Sequence, residues 1–291
     1  MMEQTAAREQ VRAYEEYLSR LAEEVENPSA GFFGPGSMAW RINREGVLGL
    51  GALRALLMQI AHPAVARGVA EHSHFRSKPF ERVYNTLQAQ QVIVFGSVSQ
   101  ASEALVRMYA RHTAVRGNYS TGKAYSGNDP LLQMWVLGTL VDTILRGQAL
   151  FLDPMPREEQ QAFYQESKWF AALMGIPQKE LPETLDDFDE WMAAMLAGDT
   201  LMVTEQAKEI ARSLLRLPLP IFWPGNYLLA VGMLPEALRD GFGLRWTLLM
   251  QAAFDAAVSA VRLVAPRLPL RLRTSPMYWR AKARAAAGVR E

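Results

Sequence analysis

The side chains with the clearest capacity for chemistry are four histidines, because the chain contains no cysteine. The lack of cysteine excludes disulfides, thiolate nucleophiles, iron–sulfur clusters and a thiolate-bound haem. A metal would therefore have to be held by imidazole or carboxylate groups. The four histidines are His62, His72, His74 and His112.

His112 lies in a stretch with the pattern of a helix that packs against a core. Ser99 predicts the beginning of this helix as an N-cap, and Gly117 predicts its end. Apolar residues recur at spacings of three and four, so the imidazole should turn inward with them. This face consists of Leu105, Met108, Tyr109, His112 and Val115. Such an imidazole is either a core side chain hydrogen-bonded to a carbonyl group or a metal ligand. Arg116 lies one turn further on, close enough to contact the same ligand as His112.

The other histidines have weaker signals. His62 precedes Pro63, which predicts a break or kink that either aims the imidazole into a cavity or is only a corner. His72 and His74 follow Glu71, and two residues that are two apart lie on opposite sides of a helix. Joint metal ligation by His72 and His74 is therefore disfavoured.

A second polar pair lies on the predicted helix from Pro79 to Phe95. Arg82 and Thr86 are one turn apart, so they share a face. A cation and a hydroxyl on one face could hold a carboxylate or polarise an oxygen species. The alternative is that both are simply solvated.

The elements that must position these residues read as helices throughout. A helix is predicted at 5–26, and Val47–Ala61 is apolar almost all round and should be central, although Arg54 interrupts it. The apolar helix 131–152 carries Asp142, which needs a partner if it is buried. The polar segment 117–130 reads as a surface loop that could act as a lid. Because strand alternation is missing, the sequence predicts an all-α fold.

Composition sets the outer limits on function. The 291 residues are 49% hydrophobic and 21% charged, which is typical of a globular protein. The net charge of +1 gives no strong attraction to nucleic acid, so none is expected as a partner. The N-terminal residues lack the pattern of a signal peptide, and a cytoplasmic location is expected.

The end of the chain is locally basic. From Arg262 onward, cations alternate with aromatic residues, a mixture that can bind an anionic membrane surface or can merely solvate the fold. These residues are Arg267, Arg271, Arg273, Tyr278, Trp279, Arg280, Lys282, Arg284 and Arg290.

Five signals follow one another along the chain. They are a Gly- and Pro-rich loop before Met38–Arg41, the segment LLMQIAHPAVARGVAEHS, the pair Arg82 and Thr86, the segment RHTAVRG, and the segment WVLGTLVD. In this order and spacing the chain resembles the catalytic domain of the latex-clearing (rubber oxygenase) family, which includes mpaB-type oxygenases. The resemblance covers about residues 34–263. It implies a single domain over 1–291 with a globin-like helical core, ending in a basic tail at 264–291.

The resemblance implies a b-type haem (heme b) whose iron is held by one histidine, and His112 stands at the matching position. Arg116, Arg82 and Thr86 match polar residues of the family site. Tyr109 stands where the family carries an arginine. Cofactor binding is therefore expected at His112, Arg116, Arg82 and Tyr109.

The resemblance also guides the choice of catalytic residues. We expect Arg82, Thr86, His62 and Glu71 to act in catalysis, although Glu71 and His62 do not align cleanly with the glutamate proposed as distal base. Asn85 stands where the family has a lysine. These departures argue against polyisoprene as the substrate.

The sequence thus predicts a haem-dependent oxygenase or peroxidase-like oxidoreductase. Its expected substrates are an apolar small molecule and dioxygen or peroxide. One alternative is a non-catalytic haem- or lipid-binding helical protein that uses the same pocket. Another is a cofactor-free helical protein whose Arg and His residues recognise an acidic ligand.

Overall fold

Helices form almost all regular structure in the computed structural model, which describes residues 2–73, 79–118, 122, 124–216 and 223–288. The backbone alone is described at 2–4, 79–83, 223, 224 and 226. The described α-helices are α1 (Met2–Glu23), α2 (Met38–Asn43), α3 (Ala52–Ile60), α4 (Pro63–His72), α5 (Pro79–Phe95), α6 (Val98–Thr113), α7 (Pro130–Phe151), α8 (Arg157–Leu173), α9 (Leu185–Ala197), α10 (Glu205–Leu215), α11 (Trp223–Met233), α12 (Glu236–Phe242), α13 (Leu248–Val264), α14 (Leu270–Arg273) and α15 (Pro276–Gly288). Short 3-10 turns lie at Gly46–Gly51, Gln178–Glu180 and Ala265–Arg267. The all-α class is confirmed.

The helix that carries His112 begins earlier than predicted. Ser97, and not Ser99, is the N-cap of α6, because its side chain accepts a hydrogen bond from the Gln100 backbone N–H while the Gln100 side chain accepts one from the Ser97 N–H. This reciprocal capping box satisfies two N–H groups that the first turn would leave without partners. The helix ends at Thr113, so Gly117 is not its terminator.

The segment after α6, which the sequence predicts to be a loop, contains a short β-hairpin instead. Two antiparallel strands, β1 (Arg116–Asn118) and β2 (Ala124–Ser126), form a hairpin in which Gly117 is opposite Tyr125. The Tyr125 ring is buried and lies so close to Gly117 that a Cβ there would approach within 2.6 Å of it. Strands of three residues are too short to show the alternation by which sequence reveals a strand.

The helix predicted over Val47–Ala61 begins later, because Gly46–Gly51 is a 3-10 turn and α3 follows from Ala52, but its expected central position is observed. Every residue from Leu53 to Ile60 is buried, and α3 packs against α4, α7 and α11. The chain then turns at Ala61 and His62, so that the axes of Gly46–Ile60 and Pro63–His72 differ by 104°. The fixed φ of Pro63 suits the first turn of the new helix.

Arg54 lies inside this core and joins three helices. Its guanidinium donates to the Asp142 carboxylate at 2.6 Å and to the Thr143 hydroxyl at 2.5 Å, both on α7. It also donates to the Met233 carbonyl oxygen of α11 at 2.8 Å. Burial lowers the pKa of Arg54, and the charge of Asp142 opposes that shift. Asp142 is only partly buried, with 32% of its side chain exposed, and its ion-pair partner is Arg54.

Replacing Asp142 with alanine should lower the free energy of unfolding by about 3 to 5 kcal/mol, because it leaves a buried guanidinium without a counter-charge. Urea denaturation monitored by circular dichroism measures this loss. The matched control is Glu16→Ala, which removes one partner of the exposed Arg12–Glu16 pair and should cost less than about 0.5 kcal/mol. Equal losses in the two variants would show that the buried pair does not stabilise the fold.

Candidate functional site

His112 is half-buried in the last turn of α6, and the chain returns from the hairpin directly against its backbone. A Cβ at Gly127 would lie 2.7 Å from the His112 carbonyl oxygen and 3.2 Å from its Cα. It would also lie 2.9 Å from the Val115 Cβ. Glycine is therefore required at position 127 by this close approach of two backbones. The contact fixes the end of α6 relative to the beginning of α7.

The same junction is held by a polar network that sequence analysis missed. The Asn128 amide donates to the Thr113 hydroxyl at 2.9 Å and to the Tyr109 carbonyl at 3.3 Å. The buried Gln133 amide in turn donates to the Asn128 side-chain oxygen at 3.2 Å and to the Gly127 carbonyl at 3.3 Å. The sequence did contain a signal for the adjoining helix start, because Asp129 followed by Pro130 is a typical beginning of a helix.

His62 lies at the bend between α3 and α4 and caps α4. Its Nδ1 accepts a hydrogen bond from the Ala64 backbone N–H at 3.2 Å, so the neutral ring carries its proton on Nε2. Burial lowers the pKa of His62, and the negative charge of Asp129 opposes that shift. Asp129 is itself the N-cap of α7 and accepts from the Leu131 N–H at 2.9 Å. The segment 127–129 thus contacts the backbone of His112 at one end and acts electrostatically on His62 at the other.

The end of α4 is attached to the hairpin by Glu71 and His72. One Glu71 oxygen accepts from Arg67 at 2.8 Å, and the other accepts from the Tyr125 hydroxyl at 2.9 Å. These hydrogen bonds, that from Arg67 above all, lower the pKa of Glu71. The His72 Nε2 lies 3.1 Å from the Arg116 carbonyl oxygen, which is a donor–acceptor pair when Nε2 is protonated. Both residues are exposed, so their present contacts are those of a surface junction.

The expected cofactor-binding residues Tyr109 and Arg116 contact α1. The Tyr109 ring stacks on the Tyr14 ring with centroids 4.0 Å apart and planes 8° apart. Arg116 donates to the Gln10 side chain at 3.2 Å and to the Thr113 carbonyl at 3.1 Å. The N-terminal helix therefore covers part of the helical face on which His112 lies.

The remaining predicted residues are less fully described. Thr86 is exposed on α5. Arg82 belongs to the same helix, one turn earlier, but its side chain lies outside the described residues, as does the whole of His74. Within the described part of the chain, no three His, Asp or Glu side chains converge to form a metal site.

Residues 40–263 match the family described as ER-bound oxygenase mpaB/B'/Rubber oxygenase, catalytic domain. The chain belongs to this family. The match spans α2 to α13, nearly the range that the sequence motifs covered, and it leaves α1, α14 and α15 outside. No curated protein and no solved structure matches the chain. Membership supports an oxygenase, and therefore an oxidoreductase.

An apolar hollow in this oxygenase domain lies between α7, α8 and α9, against Trp191, Phe188 and Gly138. Its volume is about 20 Å³, which is room for a single water molecule. As it stands, this hollow does not hold an organic substrate. The apolar substrate expected from the sequence stays a prediction.

Replacing Gly127 with alanine should lower the free energy of unfolding of the oxygenase domain by about 1 to 3 kcal/mol, because the new methyl group overpacks the junction at His112. Urea denaturation gives the loss, and near-ultraviolet circular dichroism reports the altered packing. Gly36→Ala is the control, since a Cβ at Gly36 meets no atom within 4 Å. If Gly127→Ala were as stable as the wild type, the contact between residue 127 and His112 would not be tight.

The stability of the domain should fall as the pH is lowered from about 7 to about 5, in part because of His62. The pKa of His62 lies below its ordinary value of 6.5 in the folded state, so the unfolded chain takes up a proton first and is favoured as the pH falls through this window. His62→Asn retains a good N-cap but does not titrate, and its stability should fall less steeply over the same range. Identical pH profiles for the two proteins would exclude this role of His62.

Proposed function

We propose that this family member binds haem b through His112 and acts as an oxygenase on an apolar small molecule, with dioxygen or peroxide as co-substrate. The observation that carries the proposal is the place of His112. Its imidazole is half-buried on α6, and its backbone is fixed by the contact with Gly127. A metal-binding side chain needs this kind of rigid support.

The donor set fits a histidine-bound haem. Imidazole is a normal axial ligand of haem iron, and the chain has no cysteine to take its place. His62 uses Nδ1 as an acceptor from Ala64, so its Nε2 carries a proton and cannot ligate. His72 is exposed and adjoins the Arg116 carbonyl. His112 is partly buried, and it stands at the position that the resemblance assigns to the iron ligand.

Haem bound at this position would supply the centre at which dioxygen or peroxide reacts. The residues of the chain have separate tasks around it. His62, kept neutral by its lowered pKa, presents an Nε2–H that can donate to a polar oxygen species. Arg82 and Thr86 are proposed to add a cation and a hydroxyl from α5.

Arg116 and Tyr109 are proposed to hold the edge of the cofactor. Arg116 lies one turn beyond His112 and at present donates to the neutral side chain of Gln10. A haem propionate is a stronger acceptor than an amide because it is charged, so the guanidinium would exchange one partner for the other. Tyr109 contributes a flat apolar surface beside the same turn. Glu71 is proposed as a catalytic carboxylate, and the Tyr125 hydroxyl that donates to it would hold it in position.

The test is an absorption spectrum of the full chain, produced with added haem precursor, for the wild type, His112→Ala and His72→Ala. The wild type and His72→Ala should show a Soret band of equal intensity. His112→Ala should bind haem about tenfold or more weakly, since even the outer partners of a metal ligand commonly contribute that much. An unchanged haem content and spectrum in His112→Ala would remove the assignment.

Turnover separates the oxygenase from the alternative of a non-catalytic haem- or lipid-binding protein. The haem-loaded chain is incubated under oxygen with unsaturated and aldehyde-bearing apolar compounds, and products are followed by mass spectrometry. Oxygenated product that depends on His112 supports catalysis. Retained haem without any product favours the binding protein.

A further inference from the structure

One helical segment of the described chain, Leu248–Arg267, is long and apolar enough to cross a membrane, and only 11% of it is buried. The bent pair Gly46–Ile60 and Pro63–His72 passes the same test jointly, but its first half forms the buried core helix α3. The exposed segment therefore has an apolar surface that the fold itself does not cover. Such a surface is typical of a binding site for a partner or a membrane.

The segment does not leave the fold to span a bilayer. Its inner face packs against α11 and α7 through Phe254, whose ring is so close to Gly232 that a Cβ there would lie 2.4 Å from it. The Phe254 ring also meets the edge of Trp246 at 6.1 Å. Extracting the helix would open this packed cluster, which includes the fully buried Phe151 and Met233. A membrane would therefore contact only the outer side of α13.

Large exposed apolar residues continue from α13 into α14. Leu263, Val264, Leu268 and Leu272 are 58%, 52%, 39% and 72% exposed. Three of them directly follow an arginine, in the pairs Arg262-Leu263, Arg267-Leu268 and Arg271-Leu272. Leucine next to arginine suits the boundary between acyl chains and phosphate groups, because the apolar side chain can enter the acyl region while the cation stays with the phosphates.

The charge of this region has one sign. Between Asp255 and Glu291 the sequence contains eight Lys or Arg residues and no Asp or Glu. Arg273 is turned inward to Glu45 at 3.2 Å, and Arg284 donates to the Ser29 carbonyl at 2.7 Å. The other described cations here form no ion pair with a described acidic residue, namely Arg262, Arg267, Arg271, Arg280 and Lys282. Their charge is available to an anionic partner.

Two of these cations flank one indole ring beside an open hollow. The Arg271 guanidinium carbon lies 5.7 Å and the Lys282 nitrogen 5.6 Å from the centre of the Trp279 ring. The Trp279 N–H donates to the Thr274 hydroxyl at 2.8 Å, which fixes the ring. The hollow, of about 380 Å³, is lined by Arg271, Thr274, Pro276 and Trp279. Two cations around an aromatic platform fit the phosphate group of a lipid.

We propose that these features form one lipid-binding surface, made of the exposed side of α13, of Leu268 and α14, and of the Trp279 hollow. Its occupant is the surface of an anionic phospholipid bilayer. The leucines enter the acyl boundary, while Arg271 and Lys282 contact phosphate groups. The chain thereby lies on the membrane with its core intact.

Vesicle flotation of the full chain tests the proposal, with or without bound haem, so that failure of haem binding does not affect the result. The wild type should float with vesicles of phosphatidylcholine and phosphatidylserine, and much less with phosphatidylcholine alone. Binding should weaken as salt is added, because the attraction is electrostatic. Equal binding to both kinds of vesicle would overturn the role given to the cations.

The first variant is Arg271→Glu with Lys282→Glu. It should reduce the vesicle partition coefficient by about fivefold or more for each cation reversed. The matched control is Arg12→Glu with Lys179→Glu, which makes the same change in net charge at side chains that are 81% and 82% exposed elsewhere. An equal loss in the control would show that net charge alone, and not this surface, directs binding.

The second variant is Leu263→Gln with Leu272→Gln, which removes apolar insertion and retains every charge. It should also weaken flotation, whereas Met202→Gln, at an equally exposed residue outside the surface, should not. Urea denaturation confirms that each variant is folded. Light scattering gives the competing outcome: a dimer of the wild type that Leu272→Gln dissociates, without vesicle binding, would assign the surface to a second copy of the chain.

Discussion

A buried guanidinium at the centre of the helical core sets the arrangement of the elements around it. Arg54 must have its hydrogen bonds satisfied inside the protein, and it obtains them from Asp142 and Thr143 on α7 and from the Met233 carbonyl on α11. These bonds fix the direction of α3. Since α3 ends at the 104° bend, they also fix where His62 lies. A charge in the core thus determines where one of the candidate histidines lies.

The position of the other candidate histidine, His112, depends on a close approach of backbones. Gly127 contacts His112, and the amides of Asn128 and Gln133 join the end of α6 to the beginning of α7. Such a network favours one arrangement of the two helix ends, because a movement of either end would break several hydrogen bonds at once. The two candidate histidines therefore lie at helix ends, where backbone groups and caps hold them, and not in the middle of exposed helical faces.

The same helix, α7, connects this region to the other side of the molecule. It begins beside Asp129, binds Arg54 in its middle and packs against α13. An oxygenase whose substrate is apolar would meet that substrate at highest concentration in a bilayer, and a protein that lies on the bilayer through α13 would remain folded while doing so. The proposed lipid-binding surface and the proposed haem site can be tested independently of each other. Helix α7 nevertheless packs against elements of both regions.

The sequence by itself determined what depends on near neighbours in the chain. The helical class follows from periodicity, and α5 has the bounds that its sequence predicted, Pro79 to Phe95. The tertiary structure alone decided what depends on distant neighbours. It placed Gly127 against His112, made His62 a cap beside Asp129, turned a predicted loop into a hairpin around Tyr125, and left one side of the apolar α13 uncovered. The physical reason is that caps and periodicity act within a few residues, whereas close packing and burial join segments that the sequence separates.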